Sequence, residues 1–99
     1  MSLSTHVLNA ATGKPAADLA VRLETADGRV LADGRTDADG RIKDLPAPDP
    51  GSYRLVFDTG ELSPFYPSVT IAFTVTDAAE HYHVPLLLSP YSFSTYRGS

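Results

Sequence analysis

The chain has 99 residues, 42% of them apolar, a net charge of −4 and no cysteine. Its acidic balance, with a sequence pI near 5.1, argues against the basic footprint of a nucleic-acid binder and the polybasic face of a membrane-surface protein. Without thiols, neither a disulfide framework nor a thiolate metal site is possible.

Short apolar stretches recur about every ten residues between turn-forming clusters, which predicts an all-β sandwich or barrel. LSTHVLN (3–9) reads as the first strand and ends at Ala-Thr-Gly-Lys-Pro (11–15). LAVRLET (19–25) follows, turns at Asp27-Gly28 and returns as RVLADGRT (29–36). TDADGR (36–41) turns again into RIKDL. Proline and glycine crowd positions 46–51 and mark a loop. SYRLVFD (52–58), VTIAFTV (69–75), HYHVPLLL (81–88) and YSFSTYR (91–97) complete the set, the last two joined at Ser89-Pro90. No stretch carries a helical period, an internal repeat or a linker, so one domain over 1–99 is expected. No apolar run approaches the roughly 18 residues of a membrane-spanning helix, and MSLSTHVL lacks a signal-peptide pattern. A bacterial cytoplasmic location is the expectation.

Side chains alternate along a strand between two faces. In 81–88, Tyr82, Val84, Leu86 and Leu88 share one face, and His83, Pro85 and Leu87 the other. In 3–9, Leu3, Thr5 and Val7 oppose Ser4, His6 and Leu8. In 91–97, Tyr91, Phe93 and Thr95 oppose Ser92, Ser94 and Tyr96. The first face of each strand suits a core, whereas the second mixes apolar groups with His, Ser or Tyr. Pairing of the first strand with the penultimate one would put His6 and His83 on the same side. The expected arrangement is an outer sheet packed on a copy of itself, around a cleft lined by His6, His83 and Tyr96.

Three histidines invite a zinc reading, but Glu80 is the sole carboxylate near them in sequence, so no metal is expected. The bland alternative for His83 is a hydrogen bond within an interface. TDADGR lacks the calcium-loop spacing, with Arg at 35 and Leu at 45, and its Asp and Gly are turn formers. Arg41, directly after that turn, is either a solvated strand residue or a fork held for an imide, a urea-like edge or a carboxylate. The C-terminal YRGS reads as a frayed end, or as a wall of the cleft that carries Ser99. No G-x-S-x-G elbow supports a serine triad.

STHVLNAATGKPA, TDADGR and HYHVPLLLSPYSFSTYRGS together resemble the 5-hydroxyisourate hydrolase family, transthyretin-like enzymes of urate breakdown. The resemblance covers nearly the whole chain. It implies a transthyretin-like sandwich of two four-stranded antiparallel sheets. It also implies a homotetramer, a dimer of dimers, with active sites in the channel between dimers and no cofactor. The implied reaction is hydrolysis of 5-hydroxyisourate to 2-oxo-4-hydroxy-4-carboxy-5-ureidoimidazoline. The implied catalytic residues are His6, Arg41 and His83, and the implied substrate-binding residues are Tyr96, Arg97, Gly98 and Ser99. Either histidine could serve as the general base. FDTGELSPFYPSV is shorter than the family's usual segment, so the short helix found there is expected to be missing or reduced. A non-catalytic carrier of an apolar ligand and an adhesive sandwich are the rival readings. Both leave the His, Arg, His and YRGS set without a use.

Overall fold

The computed structural model describes residues 2–46 and 49–98. Nine strands follow one another: β1 (Ser2–Asn9), β2 (Lys14–Pro15), β3 (Ala20–Thr25), β4 (Val30–Arg35), β5 (Arg41–Leu45), β6 (Gly51–Asp58), β7 (Ser68–Val75), β8 (His81–Ser89) and β9 (Ser92–Thr95). They form two layered sheets. One has the order β4-β3-β6-β7; the other runs β2-β1-β8-β9, with β5 also paired to β1. The short β2 continues the edge that β5 occupies, pairing with Leu8 and Asn9 while β5 pairs with Leu3 to His6. Each sheet thus has four principal strands.

One pairing departs from the antiparallel expectation. β1 and β8 run parallel, in register from Ser2 with His81 to Asn9 with Leu88. Parallel neighbours need a long connection between them, and here nearly the whole chain supplies it.

Alternation sorts the side chains as expected on β1 and β8. Leu3, Thr5, Val7, Tyr82, Val84, Leu86 and Leu88 are buried against Val21, Leu23, Leu55, Phe57, Val69, Ile71 and Val75 of the second sheet. Each such aliphatic or aromatic group contributes about 1.5–3 kcal/mol through burial. Thr5 is the polar exception, and its hydroxyl donates to the Val84 carbonyl at 2.6 Å, tying β1 to β8. β9 behaves differently. Its residues and Tyr91 are all exposed. The rings of Tyr91 and Phe93 meet Phe65 and Tyr66 in place of the sandwich core.

No helix forms among the described residues. Between β6 and β7 the chain turns around the buried Thr59. Its hydroxyl donates to the Tyr66 carbonyl at 2.7 Å, and its own carbonyl accepts from Leu62 and Ser63. One buried threonine organises this turn.

On the outer face of the second sheet, Glu24 is buried between Arg22 and Arg54; its carboxylate accepts from both, from Arg54 Nε at 2.7 Å. The hydrogen bonds from Arg22 and then Arg54 hold its carboxyl below the ordinary glutamate range. A lowered folded-state pKa contributes stability that is present above the unfolded value and lost as pH falls through the folded one. Glu24→Gln is therefore expected to lower the urea midpoint at neutral pH. The gap from the native protein should close as pH falls below about 4. A gap that persists at acid pH would show that the charge is not what Glu24 contributes.

Candidate active site

The site is built on the outer face of the first sheet, where β1 lies between β5 and β8. Ser4 is in register with His83, and His6 with both Pro85 on β8 and Arg41 on β5. Register partners share a face, so Ser4, His6, Arg41 and His83 all lie on the outer surface. Leu8 and Leu87 lie half-buried beside them and Pro85 is buried.

Arg41 is held by its turn. The Asp37 carboxylate accepts from the backbone N–H of Asp39 at 2.9 Å and of Arg41 at 3.0 Å. These bonds, that from Arg41 foremost, hold the Asp37 carboxyl below its ordinary value. Gly40 has φ +75°, and its carbonyl accepts from the Val7 N–H at 2.7 Å. A Cβ at Gly40 would stand 2.4 Å from the Val7 carbonyl oxygen. Only glycine fits between the turn and β1, and that fit sets Arg41 opposite His6.

His83 is held from two sides. Its Nδ1 is 2.7 Å from Ser4 Oγ, which leaves Nε2 for water or substrate. Gly98 returns to the strand end, where its N–H donates to the His83 carbonyl at 2.8 Å; a Cβ on Gly98 would lie 2.4 Å from His83 Cδ2. The pKa of His83 is lowered, first by burial and then by the charges of Arg41, His6 and His81. A neutral imidazole near pH 7 can take a proton, and a guanidinium on the same face can stabilise an oxyanion. The set therefore offers a base and an electrophilic partner within one small area. Among the described residues, no group of three or more His, Cys, Asp or Glu is placed to hold a metal ion.

The C-terminal motif divides. Gly98 joins the cluster. Tyr96 and Arg97 line another cleft, with Ile71, Phe73, Tyr82 and Val84. Arg97 lies over the Tyr82 ring at 4.5 Å and pairs with Glu80 at 3.1 Å. The alternation that placed Tyr96 on the His83 side stops where β9 ends, at Thr95. Ser99 lies outside the described residues. Sequence reasoning gave Ser4 no role. Its signal was available in principle, since Ser4 shares the face of His6, but the Ser4–His83 register is a long-range property.

Two layered sheets form a transthyretin-like sandwich, with an ionisable cluster on the outer face of one of them. Residues 3–98 match the model of the HIUase/Transthyretin family, and the chain belongs to that family. It is 47% identical over 109 residues to the 5-hydroxyisourate hydrolase of Salmonella typhimurium, covering 98% of this chain and 80% of that one. It is 44% identical over 119 residues to an Arabidopsis thaliana uric acid degradation bifunctional protein; the match takes in 98% of this chain but 37% of that longer protein. Among solved structures, the Klebsiella pneumoniae 5-hydroxyisourate hydrolase superposes with a TM-score of 0.89 at 36% identity, covering 99% of this chain and 98% of that one.

Proposed function

We propose that the protein hydrolyses 5-hydroxyisourate to 2-oxo-4-hydroxy-4-carboxy-5-ureidoimidazoline in urate degradation. The observation that carries this reading is the convergence of His6, Arg41 and His83 on one outer sheet face, in a chain whose relatives are named for that reaction. His83 takes a proton from water through Nε2, and the resulting hydroxide adds to the ring carbonyl carbon. Arg41 stabilises the oxyanion that forms there. The C–N bond then breaks with its electron pair on nitrogen, which takes the proton back from the imidazole. His6, opposite Arg41, orients the water. Gly98 gives His83 a close-fitting wall, and Ser99, Tyr96 and Arg97 complete the substrate-binding segment.

The acting form is a homotetramer, a dimer of dimers, with the outer sheets facing each other across the site. The half-buried Leu8 and Leu87 around the histidines and the exposed Phe65, Tyr91, Phe93 and Tyr96 support association. Among the described residues no helix is long and apolar enough to cross a membrane, and a cytoplasmic location fits a small-molecule hydrolase. A carrier of a small apolar ligand is the other activity of this fold. It is less well supported, because an apolar ligand gives His6, Arg41 and His83 nothing to do.

The test is direct. The purified protein is expected to accelerate the ultraviolet absorbance decay of freshly generated 5-hydroxyisourate, and to sediment as a tetramer under the same conditions. An unchanged decay rate would remove the hydrolase reading, and a stable, fully active monomer would remove the shared cleft.

A further inference from the structure

We propose that Ser4 is a positioning residue that links His83 to His81 in a proton relay, setting which ring nitrogen of His83 carries hydrogen and conducting its proton to the surface. The inference rests on the reading of His83 as the base of a hydrolase.

Ser4 Oγ lies 2.7 Å from His83 Nδ1 and 3.0 Å from His81 Nε2. A hydroxyl has one hydrogen to donate and can satisfy only one bare ring nitrogen. If Ser4 donates to His81 Nε2, His83 must present Nδ1–H to the serine oxygen. Its Nε2 is then unprotonated and can act as a base. If Ser4 donates to His83 Nδ1, the hydrogen of a neutral His83 is on Nε2, and the ring cannot take a proton there. One hydroxyl therefore selects between the competent and the spent tautomer.

The chemistry also needs an exit. Opening an amide-like C–N bond with water gives a carboxylic acid and an uncharged ureido nitrogen. The acid ionises at neutral pH, so one proton per turnover must leave. The new carboxylic acid gives that proton to His83 Nε2, which the leaving nitrogen has just stripped. There it sits half-buried, beside Arg41 from β5, His6 from β1 and His81 on its own strand. His81 is exposed at the start of β8, its ring stacked 6.5 Å from that of His83. The His83 Nδ1 proton moves to Ser4 Oγ as the serine hydrogen moves to His81 Nε2. The positive charge then lies at the surface, and His81 releases its Nε2 proton to solvent, which leaves that nitrogen bare to accept from Ser4 again. Exchange with water in the emptied cleft returns His83 to its Nδ1–H form.

Nitrogen-15 shifts of the histidine rings in the intact protein read the tautomer without any assay. The native protein is expected to hold neutral His83 chiefly as Nδ1–H, and Ser4→Ala to move the population towards Nε2–H. In Ser4→Ala, kcat should fall about 10- to 100-fold with KM changed less than about threefold. Ser4→Thr, which keeps the hydroxyl, should restore most of the rate. His81→Gln keeps a hydrogen-bonding partner that cannot carry an extra proton. Its kcat should fall about tenfold and recover with added imidazole buffer, to which the native enzyme should not respond. Native turnover and native ring shifts in Ser4→Ala would overturn the relay. A native protein inactive on 5-hydroxyisourate would overturn the hydrolase reading instead, and the shifts would still decide whether Ser4 sets the tautomer.

Discussion

Alanine at position 83 is expected to lower kcat by about 10²- to 10⁴-fold, the usual range for loss of a general base. The strand should survive the change. His83 lies on the outer face, and β8 is anchored from its other side by the buried Tyr82, Val84 and Leu86. Stability and assembly should stay close to native while turnover collapses. The pH profile gives an independent check. Burial and then the neighbouring positive charges lower the His83 pKa, so the unprotonated base persists to more acidic pH than a free histidine would allow. In the native enzyme the acid limb of kcat/KM should lie below about pH 6.5, and the alanine variant should lack that limb. The same shift makes the unfolded chain bind more protons than the folded one, so stability should decline as pH falls through the ordinary histidine range. Near-native turnover in His83→Ala would remove this residue from the mechanism.

Gly40→Ala is expected to damage both fold and site. The added Cβ would stand 2.4 Å from the Val7 carbonyl oxygen, 3.0 Å from Pro15 Cβ and 3.1 Å from the Ala16 nitrogen, at a backbone φ of +75° that disfavours any L side chain. Two of those three atoms are backbone, so relief requires the turn to lift away from β1. The hydrogen bond from the Val7 N–H to the Gly40 carbonyl would break or lengthen with it. A loss of about 2–4 kcal/mol in stability is the expected scale for a strained, clashing position. Arg41 is the next residue and shares its register with His6, so kcat/KM should fall even at temperatures where the variant remains folded. Denaturant unfolding and turnover measured on one preparation check both halves. Native values in both would mean that the turn does not hold the arginine in place.

How much could be read from the chain alone follows from the range of each interaction. The two faces of β1 and β8 were legible because strand alternation is local and a two-sheet sandwich buries one side of each strand. The Asp27-Gly28 and TDADGR turns were legible for the same reason. Gly28 and Gly40 adopt φ of +95° and +75°, and their neighbours supply the usual turn chemistry. Alternation and an expected pairing of the first with the penultimate strand grouped His6 with His83. Arg41 joined them through family resemblance, since nothing local states that β5 flanks β1. Alternation extended beyond Thr95 put Tyr96 on the His83 side, whereas the pairing ends at Thr95 and Tyr96 lines the cleft beside Tyr82. Ser4 was passed over because its meaning depends on two groups 77 and 79 positions away.

Those same separations bear on how the molecule is made. The strand that carries Ser4 and His6 leaves the ribosome long before its parallel partner exists, so one edge of β1 must wait uncovered until β8 has been synthesised. Contacts this distant in the chain slow the search for the native pairing. Catalytic competence is therefore acquired at the end of folding, and recovery of activity after denaturation should follow the slowest step.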